Sequence, residues 1–159
     1  MRFERLLACG LLAVALVLSG CATLPSTEAM KAETATFQLP KQPEPEKAIV
    51  YVVRPSGLGG LIRFNVFVDD QQESSEVGYT RASQYIWFNL IPGEHKIFSK
   101  AENWAETTVK VAAGDIVYLQ QEPAIGVLIA RNNLTPIDPV VGKYHVKNLQ
   151  PGTMLKPER

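Results

Sequence analysis

The pattern of hydrophobic and polar positions divides the chain into three parts. Residues 6–18 are dominated by Leu, Ala and Val, residues 22–47 hold few large apolar side chains, and the chain after Lys47 consists of short apolar runs between turn residues. Short runs rich in β-branched and aromatic residues, bounded by Gly, Pro, Asn and Asp, are typical of strands. We therefore predict an all-β domain over residues 48–159.

The apolar runs of this third part predict about seven strands. Residues 48–54 form a continuous apolar run that stops at Pro55, which indicates a buried first strand. Residues 62–69 and 84–90 alternate, as a strand with two different faces does. Further strands are predicted at residues 95–100, 104–111, 115–121 and 126–131.

A single antiparallel β-sandwich accounts best for these strands. The short spacing between them leaves little room for the long crossovers that parallel neighbours need. Two sheets packed face to face are the natural closure. At the C-terminal end, Asp138 and Pro139 suit the cap and first turn of a short helix reaching Leu149, whereas Gly142 and Val146 disfavour it.

Residues 21–47 are predicted to be a disordered or extended linker. This segment contains Pro25, Pro40, Pro43 and Pro45 among scattered Thr, Glu and Lys. About 26 such residues reach at most about 85 Å when stretched and about 30 Å as a relaxed coil. We expect the linker to hold the domain away from whatever carries its N-terminus.

The first 20 residues have the features of a secretory signal. Arg2 and Arg5 make a positive start, the apolar run follows, and Ser19-Gly20 offer a narrow backbone to a protease. The apolar run is shorter than the roughly 20 residues that a membrane-spanning helix needs. A permanent transmembrane anchor is therefore the weaker interpretation.

Leu18-Ser19-Gly20-Cys21 resembles the lipobox of bacterial lipoproteins at all of its positions. The resemblance implies diacylglyceryl transfer to the Cys21 sulfur, cleavage between Gly20 and Cys21, and acylation of the new amino terminus. Two or three acyl chains would anchor the protein to a lipid bilayer almost permanently. Ala22, where inner-membrane lipoproteins have Asp, implies the outer membrane, facing the periplasm. A secreted protein with a coincidental cysteine is the alternative.

Composition narrows the chemistry that the mature chain can perform. Arg2, Glu4 and Arg5 lie in the signal, which leaves 14 basic and 15 acidic side chains, so nucleic-acid binding gains no support. The two cysteines are Cys9, inside the signal, and Cys21, whose sulfur the lipid would occupy. No thiol then remains for a disulfide, a nucleophile or a metal site.

Residues 49–121 carry a second resemblance. The segments at residues 50–57, 66–70, 90–95 and 113–115 follow one another as in a family of small bacterial lipoproteins that carry a domain of unknown function. The pattern is also similar to PEGA-type β-sandwich repeats, although Asp70 stands where that pattern has glycine. The resemblance implies a compact sandwich displayed in the cell envelope, without an established enzymatic activity.

Motifs for cofactors and metals are weak. The glycines at residues 57–60 match neither the phosphate loop nor the dinucleotide fingerprint. His95 and His145 lie 50 positions apart without a local ligand cluster, so we expect one beside a turn and the other at the surface or in a groove. Asp69-Asp70 is typical of a solvated turn. We expect no cofactor and no metal.

Three aromatic residues are candidates for binding a partner. Tyr85 and Trp87 lie opposite the apolar face of the strand at residues 84–90, and Phe67 can lie alongside them. An exposed aromatic patch would mark a binding surface. The alternative, which we favour, is that the second sheet covers one face of this strand and the C-terminal segment covers the other.

The sequence favours a non-enzymatic envelope lipoprotein whose sandwich is a binding or scaffold module for a protein or cell-wall partner. Two alternatives stay open. One is a hydrolase of envelope polymers whose residues are assembled only by folding around Ser56, His95 or Asp69, since triad residues need not be close in sequence. The other is a purely structural or stress-linked lipoprotein.

Overall fold

The computed structural model describes residues 24–156, and its central element is strand β1 (Ala48–Arg54). All seven residues of β1 are buried, because the strand has a covered face on each side. Val50 and Val52 belong to one hydrophobic cluster, while Ile49 and Tyr51 belong to a second. The prediction of a buried first strand over these residues is confirmed.

The described residues 24–156 contain nine further strands, two α-helices and a 3-10 helix at Glu73–Ser75. The strands are β2 (Phe64–Val68), β3 (Glu76–Thr80), β4 (Gln84–Leu90), β5 (Gly93–Lys100), β6 (Trp104–Val111), β7 (Ile116–Ile125), β8 (Ala130–Pro136), β9 (Gln150–Pro151) and β10 (Thr153–Met154). The helices are α1 (Thr27–Glu33) and α2 (Pro139–Asn148).

The strands form two five-stranded sheets. The first sheet has the order β8-β7-β1-β4-β9, and the second has the order β10-β3-β2-β5-β6. The first hydrophobic cluster takes side chains from both sheets, including Val52 and Phe88 from the first and Val66 and Ile97 from the second. The expected all-β, sandwich-like architecture is therefore confirmed.

The predicted antiparallel sandwich of about seven strands differs from the structure in strand number and in the pairing of two strand pairs. Residues 24–156 contain ten strands, and β1 pairs with β7, and β4 with β9, in parallel. The crossover between β1 and β7 includes strands of the second sheet, so no long helix was needed to connect parallel neighbours. β9 and β10 have two residues each, too few to show a periodicity.

The predicted strand at residues 126–131 is also misplaced. Residues 126–129 connect β7 to β8, and the strand itself covers Ala130–Pro136. Val127 and Leu128 are exposed side chains in this connection. Sequence alone could not separate an apolar loop from a strand, because both produce a short apolar run.

The linker prediction differs from the structure over residues 24–47. Ser26 caps α1 by accepting a hydrogen bond from the Ala29 amide at 3.2 Å. Phe37 and Leu39 pack on the outer face of the first sheet. A few apolar side chains without periodic spacing are enough to hold this segment on the sheet, because β1 and its neighbours present an apolar face that these side chains cover.

The predicted C-terminal helix is confirmed as α2. The Asp138 carboxylate accepts a hydrogen bond from the Val140 amide at 2.8 Å, and Pro139 begins the helix. Gly142 and Val146, which disfavour a helix by propensity, are both buried. A Cβ atom at Gly142 would overlap the Tyr118 ring, so glycine allows α2 to lie directly on the first sheet.

Candidate functional site

The structure brings two of the three candidate hydrolase residues together. His95 Nδ1 lies 3.0 and 3.1 Å from the two carboxylate oxygens of Asp69. His95 Nε2 lies 2.9 Å from the Ile91 carbonyl oxygen, and because that oxygen only accepts, Nε2 carries the hydrogen of this bond. Both ring nitrogens are engaged, and His95 joins the turn after β2 to the turn after β4.

Ser56 does not belong to this pair. Ala48 at the start of β1 pairs with Leu90, while Arg54 at its end pairs with Gln84. Asp69 and His95 lie at the first of these ends and Ser56 follows the second, about 20 Å away along a seven-residue strand. The structure therefore pairs His95 with Asp69 and does not bring Ser56 to them.

Tyr85 and Trp87 lie on the outer face of the first sheet. Tyr85 is buried, and its ring centroid is 6.2 Å from that of Tyr51. Trp87 is half-buried, with the Lys41 ammonium 5.4 Å from its ring centroid. The N-terminal segment and α2 cover this face. Tyr85 therefore lies on a covered face, as the favoured alternative of a strand with two covered faces expects.

Phe67 is on the other sheet and lies within a separate aromatic group. Its ring centroid is 5.1 Å from that of Trp104, which is also 6.4 Å from Phe98. Phe67 and Phe98 are buried beneath Trp104, which is partly exposed. Phe67 therefore does not extend the Tyr85 and Trp87 surface, and the outer face of the second sheet presents its own aromatic group.

A shallow groove of about 370 Å³ lies between α1 and α2 over the first sheet. Its floor includes Tyr118, and Lys31 and Lys143 stand at its walls. Burial raises the pKa of Tyr118 to about 12 and raises the pKa of Tyr51 as well. Both phenols are neutral at physiological pH and serve as packing groups with a polar tip.

His145 is buried in α2, so the expectation of a surface or groove residue is wrong. Burial lowers its pKa below the ordinary value, because desolvation penalises the charged ring. Within residues 24–156, no group of three or more His, Cys, Asp or Glu side chains is placed to hold a metal ion.

Arg54 is a residue whose role the sequence did not suggest. Its side chain is fully buried at the end of β1, where Nη1 donates to the Ile62 carbonyl at 2.7 Å. Nη2 donates to the carbonyls of Leu58 and Gly59 at 2.9 and 3.0 Å. The guanidinium also stacks on Phe64, 3.7 Å from the ring centroid.

Arg54 therefore determines the conformation of the loop at residues 55–63. Burial without a carboxylate partner lowers its pKa, and carbonyl oxygens take the place of a counter-ion.

Glu102 organises a second loop at the same end of the sandwich. Its carboxylate accepts hydrogen bonds from the amides of Val127, Leu128 and Ile129, at 2.9 to 3.0 Å. These backbone bonds lower the pKa of Glu102. The Glu102 amide also donates to the Ala130 carbonyl at 3.0 Å, so the connection between β7 and β8 is held at its base.

The two loops form an exposed apolar surface, which we name the apolar end. A Cβ built on Gly59 lies 3.7 Å from that of Ala130, so the loops are neighbours. Ile125, Val127 and Leu128 are each between 87% and 91% exposed. The apolar end consists of Leu58, Leu61, Ile125, Val127, Leu128 and Ile129, six of the ten exposed large hydrophobic residues within residues 24–156.

Charge differs between the two ends of the sandwich. The segments around the apolar end, residues 55–63, 81–83, 100–104 and 124–131, contain the acid Glu102 and four basic residues that we name the basic collar: Arg63, Arg81, Lys100 and Arg131. The opposite turns, residues 69–75, 91–94 and 112–115, contain no Lys or Arg. They carry five carboxylates, named here the acidic end: Asp69, Asp70, Glu73, Glu94 and Asp115.

Gly20 and Cys21, the predicted cleavage and lipidation residues, lie outside the described residues. In the described part of the chain, neither helix has the length and apolar character needed to cross a membrane. The first residue that the structure describes is Leu24, three positions after Cys21.

Comparison with known proteins shows similarity to a distant relative. No family model matches the chain. The chain is similar to an uncharacterized protein of Haemophilus influenzae, with 26% identity over 140 residues that cover 87% of this chain and 80% of the relative. A function must therefore be argued from the residues of this chain.

Proposed function

We propose that the protein is a bacterial envelope lipoprotein, anchored through acylated Cys21, whose β-sandwich is a non-enzymatic binding or scaffold module. The observation that carries the proposal is Leu18-Ser19-Gly20-Cys21 after a basic and apolar start. Ala22 after the cysteine favours the outer membrane and a domain that faces the periplasm.

The folded N-terminal segment shortens the distance expected between such an anchor and the sandwich. α1 begins at Thr27, six positions after Cys21. Six residues span at most about 20 Å, in contrast to the roughly 85 Å available to a fully extended linker. The proposed anchor would hold the sandwich next to the lipid headgroups.

The binding role is supported by the outer face of the second sheet. α1 and α2 lie on the first sheet, while Trp104 stays partly exposed above Phe67 and Phe98. Lys100 adds a cation 5.0 Å from the centroid of the Trp104 ring. Aromatic side chains beside a cation are frequent in protein-binding surfaces.

Substitution of Cys21 tests the anchor. Cys21→Ser should abolish palmitate labelling in a bacterial host and leave an uncleaved precursor, because the lipid-accepting sulfur is lost. Cys9→Ser is the matched control, since Cys9 lies within the signal and its loss should leave labelling unchanged. Unchanged labelling of the Cys21→Ser protein would contradict the proposal.

A further inference from the structure

The apolar end exposes a group of large hydrophobic side chains to water, which is unfavourable unless a partner covers them. Isolated exposed apolar side chains are ordinary, whereas a contiguous group is typical of a docking surface. Three backbone hydrogen bonds to Glu102 hold Val127, Leu128 and Ile129 in one conformation. The tip is therefore a preformed surface, and its side chains do not fold back onto the sandwich.

The charges around this surface indicate which kind of partner it binds. The residues of the basic collar belong to the loops and strand ends that flank the apolar side chains, and the one carboxylate in these segments, Glu102, accepts hydrogen bonds from backbone amides. Apolar side chains next to Lys and Arg are the combination that binds the boundary between anionic headgroups and acyl chains. The nearest further acid along the hairpin, Glu122, is hydrogen-bonded to Gln120.

The opposite end of the sandwich carries mainly negative charge. Its turns carry the five carboxylates of the acidic end, and the adjoining segment at residues 44–47 adds Glu44, Glu46 and Lys47, so acids far outnumber bases there and an anionic surface would repel it. Although the whole chain has no net formal charge, the sandwich has a basic, apolar end and an acidic end. An anionic leaflet would orient such a molecule with the apolar end toward the lipid.

We infer that the apolar end docks on an anionic lipid leaflet, with the aliphatic side chains of the tip among the acyl chains and the basic collar at the headgroups. This inference rests on the proposed anchor, which would keep the domain within about 20 Å of the bilayer. Docking would determine the direction in which the outer face of the second sheet is presented to a partner.

The test measures the depth of single labelled positions in the lipidated protein. With Cys21 acylated, Leu128→Cys adds a single free thiol, to which an environment-sensitive fluorophore is attached. The protein is reconstituted in vesicles of phosphatidylethanolamine and phosphatidylglycerol that contain nitroxide-labelled lipid. The control label is Ala113→Cys, exposed in the turn at residues 112–115 of the acidic end.

We expect quenching and a blue shift at position 128, and neither at position 113. In the 128-labelled protein, Arg63→Gln and Arg131→Gln should each lower the docked-to-undocked ratio about fivefold, and added salt should do the same. Val127→Gln, which retains the amide that Glu102 binds, should lower it by about tenfold or more. Because all three positions are exposed, the melting temperature should stay unchanged, which separates docking from folding.

Three results would overturn the inference. Equal quenching at positions 113 and 128 would mean that the domain has no preferred orientation. An unquenched label at 128 would mean that the tip stays in water. A blue shift that depends on protein concentration and occurs without lipid would assign the surface to a second copy of the chain. Mass spectrometry of the acyl chains reports failure of the anchor separately.

Discussion

Two side chains hold the loops of the apolar end in place. Arg54 bonds to the carbonyls of one loop from inside the sandwich, and Glu102 bonds to the amides of the other from its edge. The sequence marked residues 54–57 only as part of a resemblance, because a buried cation is recognised by where its partners lie in space. Glu102 was not singled out at all, since its partners are main-chain amides 25 to 27 residues away.

Arg54→Lys should lower the free energy of unfolding by about 2 kcal/mol, because a single ammonium cannot reach the carbonyls that the guanidinium fork joins. Urea denaturation of the folded domain measures the change. The matched control, Arg131→Lys, alters an exposed side chain and should stay within about 0.5 kcal/mol. Equal stability of the two variants would contradict the role of Arg54.

The Glu102 carboxyl should titrate below the ordinary value of 4.5. Its pKa is lower in the folded state, so the stabilisation it provides is present above the pKa of the unfolded chain and is lost as the pH falls through the folded pKa. Carboxyl carbon shifts measured by NMR give the midpoint, and the Leu128 amide should follow it. A midpoint at or above 4.5 would show that the bonds to the tip do not form.

At the scale of elements, alternation predicted β2 and β4, and short apolar runs predicted β5, β6 and β7, although β7 continues to Ile125, four residues beyond its predicted end. The segments that the sequence misjudged depend on contacts from elsewhere. α1 and the chain after it cover an apolar face that β1, β4 and β7 create together, and the composition of residues 24–47 alone resembles a linker. The apolar loop at residues 126–129 has the composition of a strand, but Glu102 binds its amides in place of a neighbouring strand.

Gly142→Ala should lower the free energy of unfolding by about 1 to 3 kcal/mol, although alanine is the better helix former. The added methyl group would overlap the Tyr118 ring and displace α2 from the first sheet. Gly57→Ala is the control, because a Cβ there meets nothing within 4 Å. Thermal or urea unfolding compares the two, and a stabilised Gly142→Ala protein would contradict the close packing of α2.

At the scale of the whole molecule, the sandwich combines a covered first sheet, a partly exposed aromatic group on the second sheet, and two ends of opposite character. Periodicity could predict the two sheets, but it could not place Gly59 beside Ala130 or separate the acidic turns from the basic collar. Those placements depend on which strand ends meet, which is a property of the topology. The inferred orientation of the domain on a membrane rests on them, whereas the proposed anchor rests on Cys21.

The most direct test of the central claim is the mass of the N-terminal peptide of the protein purified from bacterial membranes. The account predicts that this peptide begins at Cys21, carries a diacylglyceryl group on sulfur, and is acylated on its amino group. A mature chain that begins at another residue, or at Cys21 with no lipid attached, would contradict it.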